Sequence, residues 1–145
     1  MSMAKRDRIN VIPGLRYADA PEAIRWLCEA FGFEERLVVP GAGEGEVAHA
    51  ELVFGNGMIM LGSAGIHPGG YEAFMATPDQ MQGRNTQSVY VVVDEPKAHC
   101  ERAVAAGAEI VLPLEEKPYG GSGYSCRDPE GNIWSFGDYA GELSG

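Results

Sequence analysis

Apolar and polar residues recur along the chain with two different periods, one typical of helices and one typical of strands. Apolar residues recur at helical spacing at Ile24, Leu27, Cys28 and Phe31. Asp19 precedes this stripe and is followed three residues later by Glu22, a pattern typical of a helix N-cap. Gly32 follows the stripe, and glycine often ends a helix because it adopts the left-handed conformation without strain. The pattern therefore predicts a helix between Asp19 and Gly32.

Segments rich in β-branched and apolar residues predict strands on both sides of this helix. An apolar strand precedes Asp19, and three segments follow Gly32: ERLVV, EVAHAELVF and MIML. The last two are separated by Gly-Asn-Gly, which favours a tight hairpin turn. The predicted order is one strand, one helix and three strands, a βαβββ module.

The same order returns in the second half of the chain. SVYVVV predicts a strand, Asp94 a helix cap and Gly107 the end of a helix. EIVLPL and YSC predict further strands, and DPEGN predicts a turn into the last strand, IWSFGDY. A shift of 75 residues aligns the halves without a gap, pairing Asp19 with Asp94, Gly32 with Gly107 and Gly62 with Gly137. We interpret these matches as an internal duplication.

The duplication predicts an α+β fold in which two tandem βαβββ modules form one domain over residues 1–145. Module 1 is expected at about residues 10–62 and module 2 at about residues 86–139. Residues 63–86 are rich in glycine, proline and polar residues, which predicts a linker and a candidate lid.

Composition limits the class of protein and its partners. A chain of 145 residues with 45% hydrophobic residues suits one domain, and no apolar run could span a bilayer. The opening MSMAKRDRIN lacks the apolar stretch of a secretory signal, so we expect a cytoplasmic protein with reduced thiols at Cys28, Cys100 and Cys126. The formal net charge of −10 disfavours nucleic acid and anionic membranes as partners. It favours neutral or cationic partners, or serves solubility alone.

Three stretches of the chain resemble the glyoxalase/bleomycin-resistance, or vicinal oxygen chelate, family. They are VIPGLRYADAPEAIRWLCEAFGF, HAELVFGNGMIMLG and YGGSGYSCRDPEGNIWSFGDY. The resemblance covers nearly the whole chain and implies two sheets that curl into an open cup, with pseudo-twofold symmetry, in a homodimer. Family members include metal-dependent lyases, isomerases and dioxygenases as well as metal-free antibiotic-binding proteins, so the fold leaves the function open.

The resemblance also indicates where a metal would be held, on the first and last strands of each module. The matching positions are Ile12, Met60, Gln87 and Ser135. Ile12 cannot bind a metal, Met60 offers a soft thioether and Ser135 is a poor ligand. Gln87 alone has the side chain typical of the family. The donor set therefore predicts that the chain holds no metal and no other cofactor.

Strand alternation predicts which side chains face the cup. His49 and Glu51 are expected to point into it, whereas Ala48, Ala50, Leu52 and Phe54 are expected against the helix. The gapless repeat places Tyr124 and Cys126 at the positions that correspond to His49 and Glu51. These groups could coordinate a metal or perform acid–base chemistry, and the alternative is a polar cavity wall.

Other polar residues carry weaker signals. Arg16 shares the strand face of Ile12, so it either meets an anionic or carbonyl oxygen in the cavity or extends into solvent. Met60 is expected to line the cavity, where methionine suits an adaptable apolar site. His67 and His99 lack companions at metal-ligand spacing and are expected in solvent.

The leading functional hypothesis is metal-independent binding of a small, partly apolar organic ligand or antibiotic, as in proteins of the bleomycin-resistance type. The residues expected to contact this ligand are Arg16, His49, Glu51, Met60, Gln87, Tyr124, Cys126 and Ser135. The alternative is a lyase or isomerase with a non-standard site around His49 and Glu51. A dimeric scaffold without a ligand is a third hypothesis that the sequence leaves open.

Overall fold

The computed structural model describes residues 8–66, 69–118 and 120–141, and the chain divides into two compact units at Thr77 and Pro78. The elements of the first unit are β1 (Gly14–Tyr17), α1 (Ala20–Phe31), β2 (Glu34–Pro40), β3 (Val47–Phe54) and β4 (Gly57–Ser63). The elements of the second unit are β5 (Val89–Val92), α2 (Pro96–Ala105), β6 (Glu109–Glu116), β7 (Ser122–Arg127) and β8 (Ile133–Gly137). Two short 3-10 helices follow β4, at Gly70–Phe74 and Pro78–Met81.

Each unit has the same sheet topology. The strand order is β1-β4-β3-β2 in the first sheet and β5-β8-β7-β6 in the second. The first strand of each unit pairs in parallel with the last, and the other neighbours are antiparallel. A parallel pair needs a crossover, which the helix and the two middle strands supply. The predicted α+β fold of two tandem βαβββ modules is confirmed.

Helix α1 begins and ends where the sequence predicts. Asp19 Oδ1 accepts a hydrogen bond from the backbone N–H of Glu22 at 3.3 Å, which satisfies a donor that the first turn leaves unpaired. Gly32 has a φ of 89° and donates its N–H to the carbonyl oxygen of Cys28. The buried side of the helix consists of Ala20, Ala23, Ile24, Trp26, Leu27, Ala30 and Phe31.

Helix α2 departs from the prediction at its start. The capping position is Glu95, without a side-chain hydrogen bond, so the prediction that Asp94 caps this helix was wrong. Pro96 is the first helical residue, where its fixed φ suits the helix and its missing N–H is no loss. At the other end Gly107 has a φ of 103° and donates to the carbonyl oxygen of Val104, which confirms Gly107 as the stop.

Each sheet packs one face against the helix of its own unit. The buried residues of this helix face are Tyr17, Ala50, Leu52, Ile59 and Leu61 in the first sheet, and Tyr124, Cys126, Trp134 and Phe136 in the second. Ala50 and Leu52 were predicted there from strand alternation. We call the opposite face of each sheet, which carries no α-helix of its own unit, the open face.

Tyr124 and Cys126 lie on the helix face, so the prediction that they occupy the same face as His49 and Glu51 was wrong. Trp134 follows Ile59 by 75 positions, and both are buried on the helix face. Leu52 pairs with Ile59 and Cys126 pairs with Trp134, yet Cys126 follows Leu52 by only 74 positions. Because side chains alternate between faces, a difference of one residue exchanges the faces.

The turn between the last two strands of each module causes this difference. Phe54 pairs with Gly57 across two residues, 55–56, whereas their counterparts Asp128 and Asn132 are joined across three residues, 129–131, by a hydrogen bond from the Asp128 N–H to the Asn132 carbonyl oxygen. The second turn is DPEGN, and its Asp128 side chain accepts further hydrogen bonds from the backbone N–H groups of Glu130 and Asn132 and from the indole of Trp134. The two modules therefore align with a one-residue gap at this turn, which the glycines that match at an offset of 75 residues do not indicate.

No helix in the described part of the chain is both long and apolar enough to cross a membrane. The three cysteines are free thiols, with Cys126 buried and the other two half-buried.

Candidate functional site

The open face of the first sheet combines apolar side chains with polar ones. Its register places Gly14 on β1 beside Met60 on β4, Met60 beside Glu51 on β3, and Glu51 beside Leu37 on β2. Met60 is half-buried and Leu37 is exposed. In this row the carboxylate of Glu51 therefore lies between two apolar side chains, those of Met60 and Leu37.

A second row on the same face contains Arg16 and His49. Arg16 pairs with Gly62 on β4. Ala50 on β3 pairs with Leu61 on β4, and these two strands are antiparallel. His49, which precedes Ala50, therefore lies across from Gly62, which follows Leu61. A Cβ atom at residue 62 would overlap Nη1 of Arg16, which shows that the guanidinium lies directly above this glycine. Gly62 thus opens a space that the Arg16 head group enters from β1, toward His49.

Arg16 is fixed by the short 3-10 helix that follows β4. Its Nε donates to Glu72 Oε1 at 2.6 Å, and both side chains are largely buried. The ring of Tyr71 lies against the guanidinium, with 5.3 Å between Cζ and the ring centroid. The prediction that Arg16 lies on the same face as the candidate ligand residues agrees with this geometry. Nε is used by Glu72, and the terminal nitrogens extend over the open face.

His49 and Glu51 form a hydrogen-bonded network with Arg36, a residue that the sequence did not single out. His49 Nε2 and Glu51 Oε2 are 2.9 Å apart, and Arg36 Nη1 donates to Glu51 Oε1 at 2.6 Å. Glu35 pairs with Leu52 and Leu37 with Glu51, so Arg36 is the extra residue of a β-bulge. A bulge redirects the side chain of its extra residue, and here Arg36 reaches the open face.

The network keeps Glu51 negatively charged. The hydrogen bond from His49 and the positive charge of Arg36 lower the pKa of the Glu51 carboxyl, although its desolvation acts in the opposite direction. An ionised Glu51 can only accept hydrogen bonds, so Nε2 of neutral His49 must donate. Nδ1 of His49 then carries the lone pair.

The open face of the second sheet has a different chemistry. Ser125 and Ser135 are paired across β7 and β8, and their hydroxyl oxygens are 2.6 Å apart. Tyr90 on β5 is paired with Ser135, and its hydroxyl donates to the backbone carbonyl of Tyr139 at 2.8 Å. Ser135 thus lies on the open face, as predicted. Gln87 is exposed and precedes β5, which begins at Val89.

Tyr124 belongs to a buried cluster beneath the second sheet. Its hydroxyl is 2.6 Å from Nδ1 of His99 on α2, and the His99 ring is 4.2 Å from the ring of Phe136. His99 was expected in solvent, and this prediction was wrong because Tyr124 occupies the helix face. Burial raises the pKa of Tyr124 above its usual range and raises that of Cys126 to about 12. Both side chains are therefore neutral at physiological pH and pack as core residues.

Sequence reasoning missed Arg36, Tyr71, Glu72 and Ser125. Glu72 and Tyr71 lie in the segment predicted as a linker, and no local pattern links them to Arg16. Ser125 is the residue between Tyr124 and Cys126, and the length of the DPEGN turn was the available signal for its orientation.

The residues at the family's metal positions do not fit a metal. An alkyl group, a thioether, an amide and a hydroxyl provide too few hard or anionic donors for a divalent ion. Among residues 8–66, 69–118 and 120–141, no three histidine, cysteine or acidic side chains form a group that could hold a metal ion. His67 lies outside these described residues.

Comparison with known proteins gives one family. The sequence model of the Glyoxalase/Bleomycin resistance protein/Dioxygenase superfamily matches residues 7–136. An uncharacterised protein of Mycobacterium bovis is 31% identical over 140 residues, which cover 94% of this chain and 90% of that protein. An uncharacterised protein of Mycobacterium tuberculosis is equally similar, and 80% of its length is covered.

Solved structures show the same fold. TioX from Micromonospora sp. ML1 is 34% identical, with a TM-score of 0.68 over 93% of this chain and 99% of TioX. The fosfomycin resistance protein FosX from Listeria monocytogenes has a TM-score of 0.63 over 92% of this chain and 93% of FosX. At 17% identity, the similarity to FosX concerns the fold alone.

Proposed function

The chain belongs to the Glyoxalase/Bleomycin resistance protein/Dioxygenase superfamily, and from that premise we propose that it binds a small, partly apolar organic molecule without a metal ion. The superfamily includes binding proteins and enzymes, so membership alone does not select an activity. The observation that carries the proposal is the open face of the first sheet, where a fixed arginine on β1 and exposed apolar side chains on β2 flank Met60 and the His49–Glu51 pair.

The apolar part of this face suits the body of an organic ligand. Leu37 and Val39 on β2 are about two-fifths exposed, at 41% and 40%, and Met60 lies two strands away in the row of Leu37. Exposed side chains of this kind bury their apolar area when a ligand covers them, which favours binding. Methionine adapts its shape to different ligands.

The polar part of the face suits an anionic or carbonyl oxygen of the ligand. Glu72 and Tyr71 hold Arg16 in one orientation before a ligand arrives, which lowers the entropic cost of binding. Hydrogen bonds from a guanidinium are stronger than those from neutral donors. The negative net charge of the chain and the paired Glu72 also favour a ligand that is neutral or carries a cationic group elsewhere.

Fluorescence titration with 1-anilinonaphthalene-8-sulfonate tests the proposal, because this probe joins an aromatic body to a sulfonate. We expect saturable binding that EDTA leaves unchanged, and about tenfold weaker binding by Arg16→Met, which removes a charged donor. Arg25→Gln is the matched control, because Arg25 is an exposed arginine on α1 that pairs with Glu22 and Glu29.

Two results would contradict the proposal. Equal affinity of the parent and Arg16→Met, with both variants folded by near-ultraviolet circular dichroism, would exclude the arginine anchor. Stoichiometric transition metal in protein purified without chelator, together with probe binding that is lost in EDTA, would exclude metal independence.

A further inference from the structure

We propose that His49 is a general base, and that the open face of the first sheet catalyses proton abstraction from the molecule it binds. This inference rests on the proposed function, because the same face must hold the ligand. The reaction class is an isomerisation or elimination, in which a proton leaves a carbon and the C–H electron pair forms a new π bond. In an isomerisation the π pair of the adjacent carbonyl moves onto its oxygen, and the enolate is then protonated at another atom. In an elimination a neighbouring bond breaks, and the leaving group keeps its electron pair. Such a step needs no oxidant, because the proton is returned to the product or to water.

Two positioning residues, Glu51 and Arg36, orient His49. Glu51 accepts the hydrogen bond from His49 Nε2 at 2.9 Å, and Arg36 holds the other oxygen of the same carboxylate. The imidazole is therefore held in one tautomer, with the basic Nδ1 available. A histidine that a carboxylate orients in this way is a recurrent arrangement for general-base catalysis.

The fold itself does not need the network of His49, Glu51 and Arg36. The second module has the same topology, and its β6 carries a bulge at Val111, the counterpart of Arg36. On β7 the counterparts of His49 and Glu51, 74 positions on, are Gly123 and Ser125. The second sheet thus forms without any of the three groups. A merely structural role for the network in the first sheet does not explain why a bulge directs a charge there.

His49 lies on the same row of the open face as Arg16. The guanidinium of Arg16 lies above Gly62, on the strand between β1 and β3, and His49 lies across from Gly62 on β3. A ligand oxygen bound by Arg16 would place a neighbouring carbon over Gly62, toward His49. The guanidinium would stabilise the negative charge that develops on this oxygen when the proton leaves.

The charged groups that face His49 come from three strands. Glu51 on β3 stabilises the imidazolium that forms, whereas Arg36 on β2 and Arg16 on β1 oppose it. The flanking strand β4 contributes Met60 and Gly62, which carry no charge. Neutral imidazole, with its lone pair on Nδ1, is the reactive form.

The Kemp elimination of 5-nitrobenzisoxazole tests the proposal, because this apolar probe reports a positioned base. His49 would take the proton from carbon 3, the C–H electron pair would form the nitrile, and the nitrogen–oxygen bond would break to release a coloured phenolate. We expect the parent to exceed His49→Ala by about tenfold or more in kcat/KM, within the usual range for general-base catalysis. Glu51→Gln should lower the rate and change its pH profile.

Arg36→Val introduces the residue of the second module and should lower the rate less than His49→Ala. Arg25→Gln on α1 should leave it unchanged. His49→Gly, which copies Gly123, is the second variant if His49→Ala does not fold. A parent rate no higher than that of the folded His49 variants overturns the proposal.

Nitrogen-15 NMR of the histidine side chains gives an independent result. Neutral His49 should carry its proton on Nε2 in the parent, because Glu51 accepts a hydrogen bond from this nitrogen. A proton on Nδ1 in the parent would contradict the proposed base. The two proposals fail separately. A parent rate no higher than that of the His49 variants overturns this inference even if Arg16→Met weakens binding of 1-anilinonaphthalene-8-sulfonate, whereas equal binding by the parent and Arg16→Met overturns the proposed binding function.

Discussion

The indole Nε1 of Trp134 donates a hydrogen bond to Oδ2 of Asp128 at 3.0 Å, and both residues are buried. Oδ1 of the same carboxylate accepts the backbone N–H groups of Glu130 and Asn132. One side chain thus holds the DPEGN turn closed and fixes the first residues of β8.

Asp128→Ala should therefore destabilise the protein by about 3 kcal/mol, because it leaves a buried indole N–H and two turn donors without an acceptor. Asp138→Ala is the matched control. Asp138 also accepts a backbone N–H, from Ser122 at 2.7 Å, but it is exposed, so we expect a loss of about 1 kcal/mol or less. Urea denaturation of both variants measures the difference, and equal losses would contradict the role of burial.

The buried thiol of Cys126 should make stability fall in alkali. Burial raises the pKa of the Cys126 thiol from 9.0 in the unfolded chain to about 12 in the folded protein. As the pH rises, the thiol therefore ionises at a lower pH in the unfolded chain than in the folded protein. The contribution of the protonated thiol to the free energy of unfolding is fully present below pH 9 and is lost progressively between pH 9 and about pH 12. Between pH 8 and pH 10 this thiol should account for a loss of about 1.4 kcal/mol.

Urea denaturation at the two pH values tests this sign and size. Cys126→Ala should reduce the alkaline loss, whereas Cys28→Ala, which removes a half-buried thiol, should retain most of it. The same alkaline loss in the parent and in Cys126→Ala would assign the effect to another group.

Two equivalent glycines should respond differently to alanine. A Cβ at Gly137 would lie 2.7 Å from the Tyr90 hydroxyl oxygen and 2.8 Å from the carbonyl oxygen of Ser122, so backbone must move. Gly137→Ala should cost about 1–3 kcal/mol in stability. A Cβ at Gly62 would overlap Nη1 of Arg16 and lie 3.0 Å from the carbonyl oxygen of Ala48, so it displaces mainly a side chain, and the Arg16 guanidinium must leave its position above this glycine. Gly62→Ala should therefore weaken binding of 1-anilinonaphthalene-8-sulfonate more than it lowers stability, as denaturation and titration of both variants will show.

We also predict a homodimer. In β2, an edge strand of its sheet, the consecutive residues Leu37, Val38 and Val39 are 41%, 39% and 40% exposed. Exposed edges and apolar patches of this kind favour association with a second chain. Sedimentation at tens of micromolar, roughly the range where a stable interface holds, should show a dimer that Val38→Lys dissociates. A strictly monomeric parent would refute this prediction.

Local signals in the sequence determined most of the fold. Asp19 and Gly32 bound the first helix because capping depends on residues within one turn, and Gly107 ends the second for the same reason. Strand alternation determined that Ala50 and Leu52 pack on the helix, since period two is a property of the strand itself.

Tertiary structure decided the faces of β7 and the composition of the candidate site. One extra residue in the turn between β7 and β8 exchanged the two faces of β7, so Tyr124 and Cys126 joined the core while Ser125 turned to the open face. The partners of Arg16 and Glu51 lie 56 and 15 residues away in sequence, at Glu72 and Arg36. Such contacts depend on the path of a loop and on a bulge. Neither the path of the loop nor the position of the bulge follows from local periodicity, because both depend on contacts with strands that are distant in sequence.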